Sequence, residues 1–405
     1  MKIIWLFIAL AALSASAAAQ IDGLSGATQP VTDKPIHNAS TDSLRMIFAG
    51  DLMGHGGQIK AALKPDGTYD YAPCWQFIKG YVESADLSIA NFELTLAGPP
   101  YKGYPQFSSP DQVLVDAVQA GFDIFTTVNN HCMDSGKKGF LRTLHVFDSL
   151  GVPHLGTYRD SAERAANHPM MVERNGFKLA LLTYTYGTNG LPVPVPLVAN
   201  MIDTVQMKAD LVKARENGAE YVIALIHWGE EYQTKANAEQ EMLARLLLDG
   251  GADIVIGGHP HVVQNATMDA LPDNDITPQI VVYSMGNLVS NQRDINTDGG
   301  IMVELTLKRS SEAKGLAPLS STKEFKQSDN QTILQSCAYM PYWVYRGEYD
   351  GLYQYYILPS YDACRNPEKY QLPPADLKAL TVFDENTRQR LQGQLTERHY
   401  IWQKQ

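Results

Sequence analysis

The segment Asp253-Ile254-Val255-Ile256-Gly257-Gly258-His259-Pro260-His261-Val262-Val263 joins a short apolar run to a glycine pair and two histidines. Ile254 to Ile256 has the length of a buried strand, and Gly257-Gly258 lets the backbone turn sharply where that strand ends. His259 and His261 are therefore expected at the carboxyl end of a strand, the place where α/β folds keep their chemistry. Pro260 restricts the backbone between them, and one intervening residue in an extended segment would send both rings to the same side. A His-x-His pair is also common on exposed loops, so this segment alone leaves a ligand pair and a coincidence equally open.

The chain on either side repeats the arrangement. Upstream, the apolar run Tyr221 to Ile226 delivers His227-Trp228-Gly229-Glu230-Glu231-Tyr232, and a helix from Ala238 to Leu248 then feeds Asp253. Met46 to Ala49 runs into Gly50-Asp51-Leu52-Met53-Gly54-His55, Leu87 to Ala90 ends in Asn91-Phe92-Glu93, and Asp123 to Val128 ends in Asn129-Asn130-His131 ahead of Asp134. Further strands are expected at Ile280 to Ser284 and Ile301 to Leu307, with Gly286-Asn287 between them. Periodic apolar positions predict helices over Tyr71 to Val82, Asp111 to Ala120, Lys138 to Leu150 and Asp203 to Asn217, and Asn175-Gly176 predicts a hairpin. Strands alternating with helices define an α/β chain. Taken singly, Asp51 reads as a turn former or helix cap.

At 405 residues and 44% hydrophobic content the chain is long enough to bury a large core. Residues 1–19 follow the secretory pattern, with Lys2, an apolar run from Ile3 to Leu13 and small residues ending at Ala19, so export to the periplasm or cell envelope with cleavage near Ala19 is expected. Residues 20–43 read as a flexible leader. The formal charge is −11, and −12 once Lys2 is removed, which excludes nucleic acid as a natural partner and would repel a polyanion unless cations reverse the local sign. Lys102, Lys137 and Arg293 are the candidate cations. Of the four cysteines, at 74, 132, 337 and 364, Cys337 and Cys364 are the pair expected to bridge in an oxidising envelope. Lys308 to Lys326 is Ser- and Lys-rich and predicts a boundary, which divides a main domain, 44–308, from a C-terminal extension, 309–405, packing on it. That extension holds a tyrosine-rich β segment and a helix from Asp376 to Tyr400.

Five strand ends thus carry Asp51 with His55, Glu93, Asn130 with His131, His227, and His259 with His261. Carboxylates and imidazoles in succession at strand ends are a poor way to build a core and a good way to bind metal. A mixed oxygen and nitrogen set with one shared carboxylate suits a pair of divalent ions, Zn, Mn or Fe rather than Ca.

The ordered motifs Phe48-Ala49-Gly50-Asp51-Leu52-Met53, Asn91-Phe92-Glu93, Val128-Asn129-Asn130-His131, His227-Trp228-Gly229-Glu230-Glu231-Tyr232, Gly257-Gly258-His259-Pro260-His261-Val262 and Tyr283-Ser284-Met285-Gly286-Asn287 resemble the bacterial capsule-synthesis proteins of the CapA, or PGA-cap, family, within the calcineurin-like metallophosphoesterase superfamily. The resemblance covers about residues 44 to 305. It implies a four-layer α/β/β/α sandwich and a connection with poly-γ-glutamate. It also implies that Asp51 and His261 bind one metal, that Glu93 bridges, that Asn130, His227 and His259 bind the second, and that His131 is the catalytic residue, as the acid or a transition-state stabiliser. Asn91, Glu230 and Asn287 stand beside them as additional candidates. The superfamily's Asp-x-His opening is Asp51-x-x-x-His55 here, so His55 is either a displaced ligand or none; Glu93 replaces the usual Asp, and Asn129 the usual Gly. Three functions fit: a hydrolase or transferase for an anionic γ-linked polymer or peptide, a metallophosphoesterase, and a non-catalytic subunit that binds or anchors polymer alongside other capsule-synthesis proteins at the membrane.

Overall fold

The computed structural model describes residues 42–269, 278–310 and 331–404. The export segment 1–19, nearly all of the leader 20–43 and most of the stretch 308–326 lie outside those residues.

Two large sheets carry the chain. The first orders its strands Leu352–Pro359, Gln331–Tyr349, Gly299–Ser310, Ser43–Leu52, Leu87–Phe92, Ile124–Thr126 and His154–Leu155, with Asn287–Val289 also paired to Ser43–Leu52. The second orders Ala266–Asp269, Gln279–Val282, Ile254–Gly258, Tyr221–His227, Phe177–Thr185 and Met170–Arg174. Parallel pairing in both sheets brings several strands to a common carboxyl end.

Alternation along each strand sets the layers. Leu44, Met46 and Phe48 face Leu179, Leu181, Ile223, Ile254 and Ile256 in a core between the sheets. Ile47 and Ala49 point the other way, toward Trp75, Ile78, Leu114 and Phe147 from helical segments. On the far face of the second sheet Val222, Ala224 and Val255 meet Met207, Leu211, Leu243 and Leu247 of the helices Thr204–Glu216 and Ala238–Asp249. Asp203 caps the first of these helices by accepting from the N–H groups of Val205 and Gln206, and Asn237 with Gln240 forms a capping box on the second. The result is a four-layer α/β/β/α sandwich. Strands buried on both faces explain the unbroken apolar runs of the sequence, and truncating one such residue, Ile256→Ala, is expected to cost about 2–5 kcal/mol.

Several local expectations are revised. The helix predicted over 71–82 is two short ones, Ala72–Trp75 and Lys79–Glu83. The break lets Phe77 turn into an aromatic cluster with Tyr349, Tyr356, Tyr370 and Trp402 while Trp75 and Ile78 stay in the outer core. The terminal helix spans Pro374–Leu391 rather than reaching residue 400; Gly393 has a positive φ of 75°, and the chain turns back as the strand Thr396–Glu397. Residues from Gln331 to Pro359 add two strands to the first sheet, Leu305 standing opposite Cys337. Cys337 and Cys364 are free thiols, not the expected bridge. Strand alternation sends Cys337 into the core between the sheets, while Cys364, on the helix Ser360–Arg365, packs on the separate cluster of Trp343, Tyr345 and Leu380.

Candidate metal centre

The carboxyl ends of both sheets meet at one place, and the strand-end residues converge there. Asp51 arrives by an irregularity of register. Ala49 pairs with Ala90 but Asp51 pairs with Asn91, so Gly50 is an extra residue that rotates Asp51 onto the face of Asn91. No side chain fits at Gly50, where a Cβ would lie 1.9 Å from the Gly286 carbonyl oxygen. Asp51 is fully buried, as is Glu93.

Asn91 ties the carboxylates together. Its Nδ2 donates to Asp51 Oδ1 at 2.7 Å and to Glu93 Oε2 at 3.3 Å, and its Oδ1 accepts from Thr126 Oγ1 at 3.1 Å. From the second sheet His227 sets Nε2 2.8 Å from Asn130 Oδ1 and 3.7 Å from Glu93 Oε1. His261 Nδ1 lies 3.4 Å from Asp51 Oδ2 and its Nε2 3.9 Å from Glu93 Oε1. Asn287 orients that ring, with Oδ1 3.1 Å from His261 Nδ1, while its Nδ2 donates to the Thr297 carbonyl at 2.8 Å.

The two histidines of the opening segment do not lie on extended backbone. His259 has φ of 96° and His261 of 58°, and their ring centroids are 5.9 Å apart. Left-handed conformations on either side of Pro260, rather than strand alternation, turn both rings inward, and such conformations concentrate at functional sites. The His259 N–H donates to Asp51 Oδ2 at 3.1 Å.

Glu231 with His259 and His261 forms one donor group at the rim, and two buried groups result beneath it, Asp51 with Glu93 and His261, and Glu93 with His227 and His259, each with ligand atoms within 4.8 Å of one another. Glu93 belongs to both buried groups. Its Oε1 and the Nδ1 of His259 are buried and lack a hydrogen-bond partner. Burial, then the charge of Asp51, pushes the Glu93 carboxyl well above its usual range, and burial, then His259, pushes His227 well below. Burial also works against the Asp51 charge, but the bond from His261 and the charge of His227 outweigh it and hold that carboxyl low. Buried orphan donors and opposed charges of this kind are what a bound cation resolves, and the chemistry of the donor set fits bound metal.

His131 stands beside this cluster, its Nδ1 2.7 Å from Asp134 Oδ2 and its ring edge-on to Phe107 at 4.6 Å. His55 also packs edge-on to Phe107 and forms part of the cap of the helix Gly56–Ala62. Its Nδ1 lies 3.3 Å from the Asn291 N–H, from which it accepts, and 3.2 Å from Gln58 Oε1, to which it donates in the other tautomer, and burial brings its pKa down to about 4. It belongs to none of the donor groups. Glu230 is exposed and outside them; its neighbour Glu231 points inward, Oε1 4.0 Å from His261 Nε2. Sequence reasoning also passed over Tyr186, whose ring lies 4.5 Å from that of His259, and Asn189, which accepts from Asn130 Nδ2 at 3.2 Å. Neither sits in a motif, and only the chain's return after the strand Phe177–Thr185 brings them in.

Fold and cluster together define a class: a helix-flanked double sheet whose acidic and imidazole donors meet where the strand ends of both sheets adjoin. A sequence profile described as "Bacterial capsule synthesis protein PGA_cap" matches residues 45–292, more than half of the chain, and the chain belongs to that family. It is 28% identical over 287 residues to the "Capsule biosynthesis protein CapA" of Bacillus anthracis, covering 68% of this chain and 66% of that one. It is 27% identical over 289 residues to the "PGA biosynthesis protein CapA" of Bacillus subtilis (strain 168), covering 67% and 69%. The chain therefore spans about two thirds of the length of these relatives. Among solved structures, the calcineurin-like phosphoesterase YfkN from Bacillus subtilis aligns over 86% of this chain and 97% of its own at 12% identity, with a TM-score of 0.39.

Proposed function

We propose that this protein is an exported, metal-dependent hydrolase or transferase acting on a γ-linked glutamyl polymer or a related envelope peptide. The observation that carries the reading is the pair of orphaned buried atoms, Glu93 Oε1 and His259 Nδ1, at the centre of two donor groups that share Glu93. Asp51, Glu93 and His261 would hold one ion, and Glu93, Asn130, His227 and His259 the other. Divalent ions such as Zn, Mn or Fe would supply a hydroxide near neutral pH and polarise a substrate oxygen. Asn91 and Asn287 orient the donors. His131, held by Asp134, is placed to carry a proton toward the departing group. The names of the Bacillus relatives, capsule biosynthesis and PGA biosynthesis proteins, support a polymer-related role, and the pattern from Lys2 to Ala19 supports export.

The test is metal-reconstituted protein assayed against γ-glutamyl oligomers and an aryl phosphate, with His131→Ala and Glu93→Ala alongside. Chelator-sensitive cleavage or transfer of the oligomer, lost in both variants, is the expected result. Turnover of the aryl phosphate alone would make the protein a phosphoesterase. Oligomer binding that survives both substitutions without turnover would make it an anchoring subunit.

A further inference from the structure

The mouth of the cluster carries an acidic and aromatic rim. Glu231 is 41% exposed at its side chain, and its carboxylate lies within 4.8 Å of ligand atoms of both His259 and His261. The loop that presents it is pinned: Gly229 and Tyr232 have φ of 84° and 68°, and the Tyr232 N–H donates to the Pro260 carbonyl at 2.8 Å. Two half-exposed tyrosines lie at the same rim, and the Tyr232 side chain is hydrogen-bonded to Glu231. Tyr186 lies over His259 and is held by its N–H, which donates to the His227 carbonyl at 3.0 Å; Tyr232 has its ring 6.2 Å from that of His261. Among the described residues no lysine or arginine is ion-paired with Glu231.

A carboxylate with aromatic rings beside it can recognise an ammonium ion, through charge and through the negative faces of the rings. The same carboxylate repels an approaching anion. An internal segment of a γ-linked glutamyl chain offers only carboxylates to this rim, whereas the amino end of the chain offers one cation. We propose that Glu231, with Tyr186 and Tyr232, forms an ammonium subsite, and that the substrate is engaged through the free amino end of a γ-linked chain. The proposal rests on the reading of the site given above, and it narrows the substrate to chains with an unblocked amino group.

The experiment is calorimetric binding of a short γ-glutamyl oligomer with a free amino terminus, and of its N-acetylated counterpart, to the metal-loaded full chain. Wild type, Glu231→Gln, Glu231→Asp and Tyr186→Leu are compared, and the metal content of each is measured. The free-amine oligomer is expected to bind about tenfold more tightly than the acetylated one. Glu231→Gln brings the two to parity with metal content unchanged, Glu231→Asp retains most of the difference, and Tyr186→Leu reduces it. Equal or tighter binding of the acetylated oligomer, or no binding of either, would overturn the subsite. So would a Glu231→Gln variant that loses metal and weakens equally toward both oligomers, since Glu231 would then be a metal ligand. Turnover is read separately. Selective binding without turnover would remove the enzymatic reading and leave the subsite in place, and chelator-sensitive turnover indifferent to acetylation would do the reverse.

Discussion

Asn91 and Asp51 stand opposite one another on neighbouring parallel strands, and the Asn91 amide donates to the Asp51 carboxylate at 2.7 Å. The contact aims a buried carboxylate whose other oxygen faces His261. Substituting Asn91 with Ala should therefore lower metal affinity by about 10–100-fold without removing a ligand, as loss of a group that orients a ligand does. Asn287→Ala should act in the same way through His261. Competition with a chromogenic chelator measures both, and affinities equal to wild type would reject the orienting role.

Glu93 is the carboxylate common to both buried donor groups, so its removal should affect both. Saturating zinc or manganese at about one hundred times its Kd is expected to stabilise the wild-type protein by about 2.7 kcal/mol through mass action. Glu93→Ala should abolish most of that gain. Thermal melts with metal and with chelator decide it; a shift in Glu93→Ala as large as in wild type would place the ions elsewhere.

A second buried ionic group lies away from the centre. Asp210 accepts from Arg164 Nη2 at 2.7 Å, Tyr184 Oη at 3.0 Å and Gln206 Nε2 at 2.9 Å, with His168 Nε2 at 3.3 Å. Burial opposes its charge, but the bonds from His168 and Arg164 prevail and hold its carboxyl well below the usual range. A depressed carboxylate contributes stability that is present above its unfolded pKa, about 3.9, and is lost as pH falls through the folded value. Asp210→Ala should cost about 3–5 kcal/mol at neutral pH, because Arg164 is left without its partner. Urea titrations should show the gap between wild type and variant narrowing below about pH 4; a gap independent of pH would contradict the assignment.

Asp384 should behave in the opposite sense. It is buried, one of its oxygens lacks a partner, and burial, only partly offset by Arg388, raises its pKa to about 6. A carboxyl raised on folding contributes stability that is fully present below its unfolded pKa and is lost as pH rises through the folded value. Relative to wild type, Asp384→Asn should gain stability as pH rises from about 4 to 7, since the amide does not charge. Denaturation midpoints across that window test it, and a constant offset would rule it out.

The strand-end positions of the candidate donors are legible because each is local: an apolar run, a glycine or turn, then a polar residue at the strand end. What depends on distant partners is not. The extra residue at Gly50 exists only relative to Ala90 and Asn91, about forty positions away. The choice of Glu231 over Glu230 follows from left-handed backbone at Gly229 and Tyr232, and the inward turn of His259 and His261 from the same kind of conformation. Periodicity could not foresee that Phe77 would break a helix to join Tyr349 and Trp402. Cys337 and Cys364 looked like a pair by elimination, but a thiol's partner is set by the face of the sheet it occupies, which only the pairing of Leu305 with Cys337 reveals.

The irregularity at Gly50 also governs how this strand can change length. Upstream of it, Leu44, Met46 and Phe48 are phased to the core between the sheets; downstream, Asp51 is phased to the candidate donor cluster, and the two phases differ by one residue. Inserting or deleting a single residue between Phe48 and Asp51 would keep the packing of Leu44, Met46 and Phe48 and swing the carboxylate, with the core residue Leu52 beyond it, to the opposite face. Fold and chemistry thus depend on separate counts along the same strand, and such a chain could lose its chemistry while keeping its shape.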